Sequence, residues 1–199
     1  RIVRPLGVPL RDGFDASPYR ATERARILIM GGSQGARAIN DAIPDALARV
    51  AAGGTAPTRI EILHQSGRGQ EDALRAKYDA LGLRADVRAF LDDVPGELAR
   101  ADLVVARSGA GAVAEIAAVG RAAIFIPFPF AADDHQRSNA ESLSKNGAAV
   151  CVVQKDATPA RLAEEIGALL GDRARRESMA EAARRMGRPR AAWDVAGDL

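Results

Sequence analysis

The amino-acid sequence predicts an α/β protein built on a parallel sheet with flanking helices. Three observations carry that prediction. Short apolar runs alternate with segments whose apolar residues recur every three or four positions, the pattern of strand–helix–strand units. One of these runs, 103–106, is apolar at every position, as a strand covered on both faces must be. Two glycine turns, Gly31-Gly32-Ser33-Gln34-Gly35 and Arg107-Ser108-Gly109, each join such a run directly to a helical segment. At 199 residues the chain fits a single domain, roughly 150 residues being the usual unit.

The elements follow in order. Residues 26–30 read as the first strand. Ala36, Ile39, Ile43, Leu47 and Val50 then share one helical face, and Gly53-Gly54 ends that helix. Residues 59–63 form a second strand, leading into a His64-Gln65-Ser66-Gly67 loop that His64 is expected to order. A helix over 71–81 stops at Gly82, and a third strand covers 86–90. A short helix spans 94–100, and 103–106 is the fourth, central strand. The Ala-rich helix 110–119 carries a single acid, Glu115, and a C-terminal Gly120. A fifth strand at 123–126 runs into Pro127-Phe128-Pro129-Phe130, then a helix covers 134–146 up to Gly147. Residues 149–153 form the sixth strand, with Cys151 expected to be buried in it. Thr158-Pro159 is an N-cap with proline at the first helical position, followed by Leu162, Ile166, Leu169 and Leu170 on one face. A last helix covers 172–186. The arrangement is Rossmann-like, with an arm or linker at 1–20, the nucleotide-binding unit at 21–187 and a tail or crossover helix at 188–199.

Composition narrows the function. Hydrophobic residues make up 47% and charged residues 27%, ordinary for a water-soluble fold. The net charge is only +2 and aromatics are 4%, without basic residues interleaved, so a nucleic-acid stacking surface is not expected. Arginines cluster between Arg173 and Arg190; with Asp172, Glu177 and Glu181 beside them they predict a solvated helix face, contact with anionic lipid head groups being the alternative. One cysteine excludes a disulfide framework. The longest apolar stretch, 122–132, is too short and too proline-broken to span a membrane.

The candidate chemistry lies at the strand ends. Strand, glycine turn and helix together aim free helical N–H groups at an anion. Two such turns on one sheet predict a ligand with more than one phosphate, at the carboxyl edge of the strands. Ser33 offers a hydroxyl to phosphate in the first turn. Ser108 and the amides of Gly109, Ala110, Gly111 and Ala112 form the second anion site. Glu115 can accept both hydroxyls of a ribose, or can simply be an exposed helix acid. Asp134, His135 and Gln136 can bond sugar hydroxyls. The first turn has neither the GxGxxG dinucleotide spacing nor the GK[ST] of a P-loop. No ligand spacing links the two histidines, His64 and His135, so no metal site is expected.

Three segments, GGSQGAR with IN (31–40), RSGA with VAEIAAVG (107–120) and DHQRSNA (134–140), resemble glycosyltransferase family 28, the bacterial enzymes that complete lipid II. Lesser matches are GVPLR (7–11), HQSG (64–67) and FLDDV (90–94). The resemblance implies one half of a two-domain GT-B fold, the half that holds UDP-GlcNAc. That family moves GlcNAc to undecaprenyl-diphospho-MurNAc-pentapeptide, lipid I, in peptidoglycan synthesis at the inner face of the cell membrane. It implies that Arg11 and Ser33 contact the diphosphate, the backbone at Leu91 reads the uracil edge, and Ser108 with Ala110–Ala112 wraps the phosphates. Glu115 would then hold the ribose, and Gln136 with His135 the GlcNAc hydroxyls. The acceptor site and general base are implied to lie in an N-terminal half, so no catalytic residue is assigned in this chain, no cofactor is called for, and the chain is expected to be a piece of a longer protein. Val8, Gly111, Ala112 and Asp134 depart from the family pattern. Two alternatives fit the same residues: a non-catalytic nucleotide-sugar-binding subunit of a split transferase, and another UDP-GlcNAc enzyme such as a 2-epimerase.

Overall fold

The computed structural model describes residues 7–19, 24–32, 36–53, 60–131, 134–189 and 191. Six strands are β1 (Ala25–Met30), β2 (Ile60–Gln65), β3 (Ala85–Arg88), β4 (Leu103–Ala106), β5 (Ala123–Phe125) and β6 (Val150–Cys151). They form one sheet in the order β3-β2-β1-β4-β5-β6, and every pairing is parallel. Between them run α1 (Arg37–Ala52), α2 (Glu71–Ala80), α3 (Val94–Arg100), α4 (Ala110–Val119) and α5 (His135–Lys145), followed by α6 (Pro159–Gly171) and α7 (Arg173–Met186). This is the predicted Rossmann-like α/β architecture.

The sheet is covered on both faces. Along β1, Ile27 and Ile29 join one apolar cluster and Leu28 and Met30 the other; along β4, Leu103 and Val105 join the first and Val104 and Ala106 the second. The first cluster is closed by α1, α2 and α6, and the second by α3, α4 and α5. All four residues of β4 are fully buried, which accounts for its unbroken apolarity.

The ends of α6 and α4 follow the predicted signals, and α7 has a cap at Asp172 where the sequence reading put helix. Thr158 caps α6 by accepting from the Arg161 N–H, Asp172 caps α7 from the Arg175 N–H, and Gly120 closes α4 at φ 75°.

Four expectations change. β2 runs to Gln65, pairing His64 with Ile29 and Gln65 with Met30, so His64 is a strand residue and orders no loop of its own. β3 lies at Ala85–Arg88, and the Ser66 N–H donates to Arg88 O at 2.9 Å where that ladder ends. β6 is a two-residue edge strand, so Cys151 is only half-buried; burial still pushes its thiol pKa up. The arginine face of α7 is solvated except at Arg176, which is 4% exposed. Its Nε donates to Tyr19 Oη at 2.9 Å, and its Nη1 to the carbonyls of Leu169 and Leu170 at 2.5 and 2.6 Å.

Residues 7–19 pack along the second face. Phe14 is buried there, and the Ser17 N–H donates to Val119 O at 3.2 Å. Tyr19 donates to Asp102 Oδ1 at 2.6 Å beneath the Arg121 guanidinium. Burial, with Asp102 adding to it, raises the Tyr19 pKa to about 12.

Candidate functional site

The strand order reverses between β1 and β4, and in sheets of this kind the crevice outside the carboxyl ends at that point receives ligands. The register makes the crevice deep. Met30 pairs with Ala106, so the turns after β1 and β4 leave the sheet side by side. A cleft of about 1010 Å³ opens there. Met30, Gly31 and Gly32 line it from the β1 turn, and Arg107 and Gly109 from the β4 turn. Gly32 adopts φ 83°, in the left-handed region that favours glycine.

Of the residues that sequence reasoning picks out, the cleft brings together Arg11, Gly109, Ala112, Glu115 and Gln136. The N-terminus of α4 has no side-chain cap and no acid in its first turn. The Val113 N–H is the first to turn back, to Gly109 O at 3.0 Å, leaving the three amides before it without an intrahelical acceptor. Ala110 and Gly111 sit exposed on this turn. A Cβ placed on Gly109 or Gly111 would meet nothing within 4 Å, so the turn opens onto space. α1 also begins without an acid in its first turn, and its first residue, Arg37, lines the cleft. Three guanidiniums, Arg11, Arg37 and Arg107, face two carboxylates, Asp41 and Glu115, giving a net positive cleft.

Glu115 is half-buried on α4. Burial raises its pKa, and the nearby Arg11 opposes that shift. Arg11 itself lies over the Phe14 ring at 5.7 Å, which fixes the exposed arginine beside the cleft.

Other expected residues stand elsewhere. Ser33 lies outside the described residues. Ser108 is fully buried behind the wall: its hydroxyl donates to Gln136 O at 2.7 Å, and its carbonyl accepts from Asn139 Nδ2 at 3.1 Å. It therefore staples the β4 turn to α5. Leu91 is 8% exposed, its side chain in the second core cluster. His135 is exposed at the first position of α5. Asp134, just before it, has φ 52°, a left-handed conformation that Asp and Asn tolerate best among residues with a side chain.

The sequence reading missed Arg107, Gln65, Phe128 and Gln154, all of which line the cleft. Arg107 donates to Ile126 O at 2.9 Å, Pro127 O at 3.1 Å and Gln154 Oε1 at 2.7 Å. Burial lowers its pKa from the usual arginine value. Its partners are 19 to 47 residues away in sequence, so no local signal marks it. Behind Gln65 runs a largely buried chain of bonds. Asn40 Nδ2 donates to Ser66 O and Gln70 Oε1, both at 2.9 Å, so its Oδ1 must accept from His64 Nε2 at 3.0 Å. His64 Nδ1 is then left to accept from the Tyr78 hydroxyl at 2.9 Å. Burial lowers the His64 pKa to about 3, so the ring is neutral and braces α1, β2 and α2 against one another.

Among the described residues no group of three or more His, Cys, Asp or Glu is placed to hold a metal ion, and no helix is long and apolar enough to cross a membrane.

A cationic cleft beside an open helix N-terminus has the charge and the free amides that suit an anionic ligand. The family model of the glycosyltransferase family 28 C-terminal domain matches residues 26–195. The chain belongs to that family. The UDP-N-acetylglucosamine–N-acetylmuramyl-(pentapeptide) pyrophosphoryl-undecaprenol N-acetylglucosamine transferase of Sorangium cellulosum is 51% identical over 200 residues, covering 99% of this chain and 49% of that protein. The protein of the same name from Ralstonia nicotianae is 45% identical, covering 96% and 53%. The crystal structure of MurG from Acinetobacter baumannii superposes with a TM-score of 0.81 at 36% identity, over 90% of this chain and 50% of that one. The chain thus spans about half the length of the family 28 relatives it matches.

Proposed function

We propose that this chain is the UDP-GlcNAc-binding part of an inverting N-acetylglucosaminyltransferase that converts lipid I to lipid II in peptidoglycan synthesis. The observation that carries the reading is the register of β1 against β4, which sets two glycine turns and the open N-terminus of α4 around one cationic cleft. The relatives that share about half their length with this chain are named for transfer of N-acetylglucosamine from its UDP donor, and the cleft has the charge and the free amides a nucleoside diphosphate needs.

In this reading the diphosphate sits at the α4 turn, where the amides of Ala110–Ala112 and the helix dipole meet it. Arg11 closes on it from the arm, and Glu115, one turn into α4, takes the ribose hydroxyls. Gln136 and His135 serve the sugar, and the uracil lies toward Leu91. The C4 hydroxyl of the acceptor MurNAc attacks the anomeric carbon. The new C–O bond forms as the bond to the β-phosphate oxygen breaks, and the acceptor proton passes to a base in an acceptor-binding half. Charge growing on the leaving UDP falls on donors already in place. That half would also carry lipid I and the contact with the inner face of the membrane.

Thermal unfolding with UDP, UDP-GlcNAc or NAD, each with EDTA present, tests the reading. Ligand at 100 times its dissociation constant adds about 2.7 kcal/mol. A rise in Tm with both uridine nucleotides and none with NAD is expected. A rise with NAD alone, or with none of the three, contradicts it.

A further inference from the structure

Phe128 is held still and left open, a combination that core packing does not require. It sits between Pro127 and Pro129, whose rings fix the local backbone. Its N–H donates to Gln136 Oε1 at 3.0 Å. The Arg107 guanidinium lies 5.5 Å from its ring centroid, itself held by two carbonyls and Gln154. Phe130 meets it edge-on, with centroids 5.7 Å apart and an interplanar angle of 73°. Yet Phe128 is 40% exposed and lines the cleft. Rigid apolar surface beside a few fixed polar groups is how small-ligand sites are built.

The adjoining amide indicates which end of a ligand lies there. Because the backbone N–H of Phe128 can only donate, the Gln136 oxygen is the atom that faces it, so the Nε2 donor of this cleft-lining residue is not used in that bond. An aromatic face next to an amide donor suits a pyranose, which has apolar C–H faces and hydroxylated edges. The apolar ring itself offers nothing to a diphosphate.

We infer that Phe128 is a specificity-determining residue for the sugar end of the donor, its ring packing against the C–H face of the hexosamine. Arg107 is a positioning residue that holds the ring in place. The inference rests on the donor-site reading above.

Calorimetric titration of UDP and UDP-GlcNAc into the chain and its variants tests it. Phe128→Ala should weaken UDP-GlcNAc about tenfold and UDP by less than about twofold, a difference of about 1.0–1.4 kcal/mol for the sugar alone. Phe128→Tyr should retain both affinities. Arg107→Lys, which keeps the charge, should shift the UDP-GlcNAc to UDP ratio in the same direction and add nothing to that ratio on top of Phe128→Ala. Equal losses for UDP and UDP-GlcNAc in Phe128→Ala, or no change in either, would overturn the inference. Failure of the unaltered chain to bind either nucleotide removes the donor-site reading first and this inference with it, before any variant is compared.

Discussion

Glu115 answers to two opposing demands. Burial on α4 makes its charged form costly, while the ribose contact proposed for it needs that charge as an acceptor. Because its folded pKa is raised, the folded chain binds that proton more tightly than the unfolded chain does. Stability from this group therefore falls as pH rises from the unfolded value, about 4.3, through the folded one. Glu115→Gln escapes that loss. It should unfold at a higher temperature than the parent at pH 7 and at the same temperature below about pH 4, while its affinity for UDP drops. Losing a hydrogen bond to a charged group costs roughly 1.5–3 kcal/mol, so calorimetry should show a loss of about 10- to 100-fold in UDP affinity. Tm and affinity should move in opposite directions. Ser108 teaches a different lesson at this scale. Its position in the motif suggested a phosphate contact, but its hydroxyl is engaged by Gln136 O. A sequence shows that a hydroxyl is present and not where its proton goes.

At the scale of elements, legibility tracks how local the cause is. β4 was readable because burial on both faces forces apolarity at each of its four positions. The ends of α4 and α6 were readable because Gly120 and Thr158 act on backbone groups within a few residues. The extent of β2 was not, because His64 and Gln65 look polar while their strand role comes from partners on β1, α1 and α2. The clamp of Arg107 and the link from Arg176 to Tyr19 were invisible for the same reason, their partners lying 19 to 157 residues away. The α4 N-terminus also carries a glycine whose consequence can be measured. Gly111 is helical and a Cβ on it meets open space. Gly111→Ala should therefore stabilise the chain by about 0.4–1 kcal/mol, chiefly by restricting the unfolded state. Denaturant unfolding checks it: a higher midpoint with an unchanged slope is expected.

Over the whole molecule, an internal polar chain of Asn40, His64 and Tyr78 ties α1, β2 and α2 together behind the cleft. The neutral His64 is central to that chain, and its depressed pKa sets a pH window. The unfolded chain takes up this proton near pH 6.5, whereas the folded chain resists until about pH 3, so stability is lost as pH falls through that interval. The parent should lose stability more steeply than His64→Gln between pH 6.5 and 4, by up to a few kcal/mol, as measured by urea unfolding at each pH. Parallel slopes would mean that another group carries the acid sensitivity. The same chain serves the site, because Gln65 on the cleft is anchored one residue from His64 on β2. The central claim is that the cleft between β1 and β4 receives the diphosphate of a uridine nucleotide. Following backbone amide resonances during titration with UDP-GlcNAc tests it most directly. The largest shifts should fall on Gly31, Gly32 and Gly109–Ala112, and saturate together with a single dissociation constant. Shifts concentrated away from both turns, or none at saturating nucleotide, would contradict it.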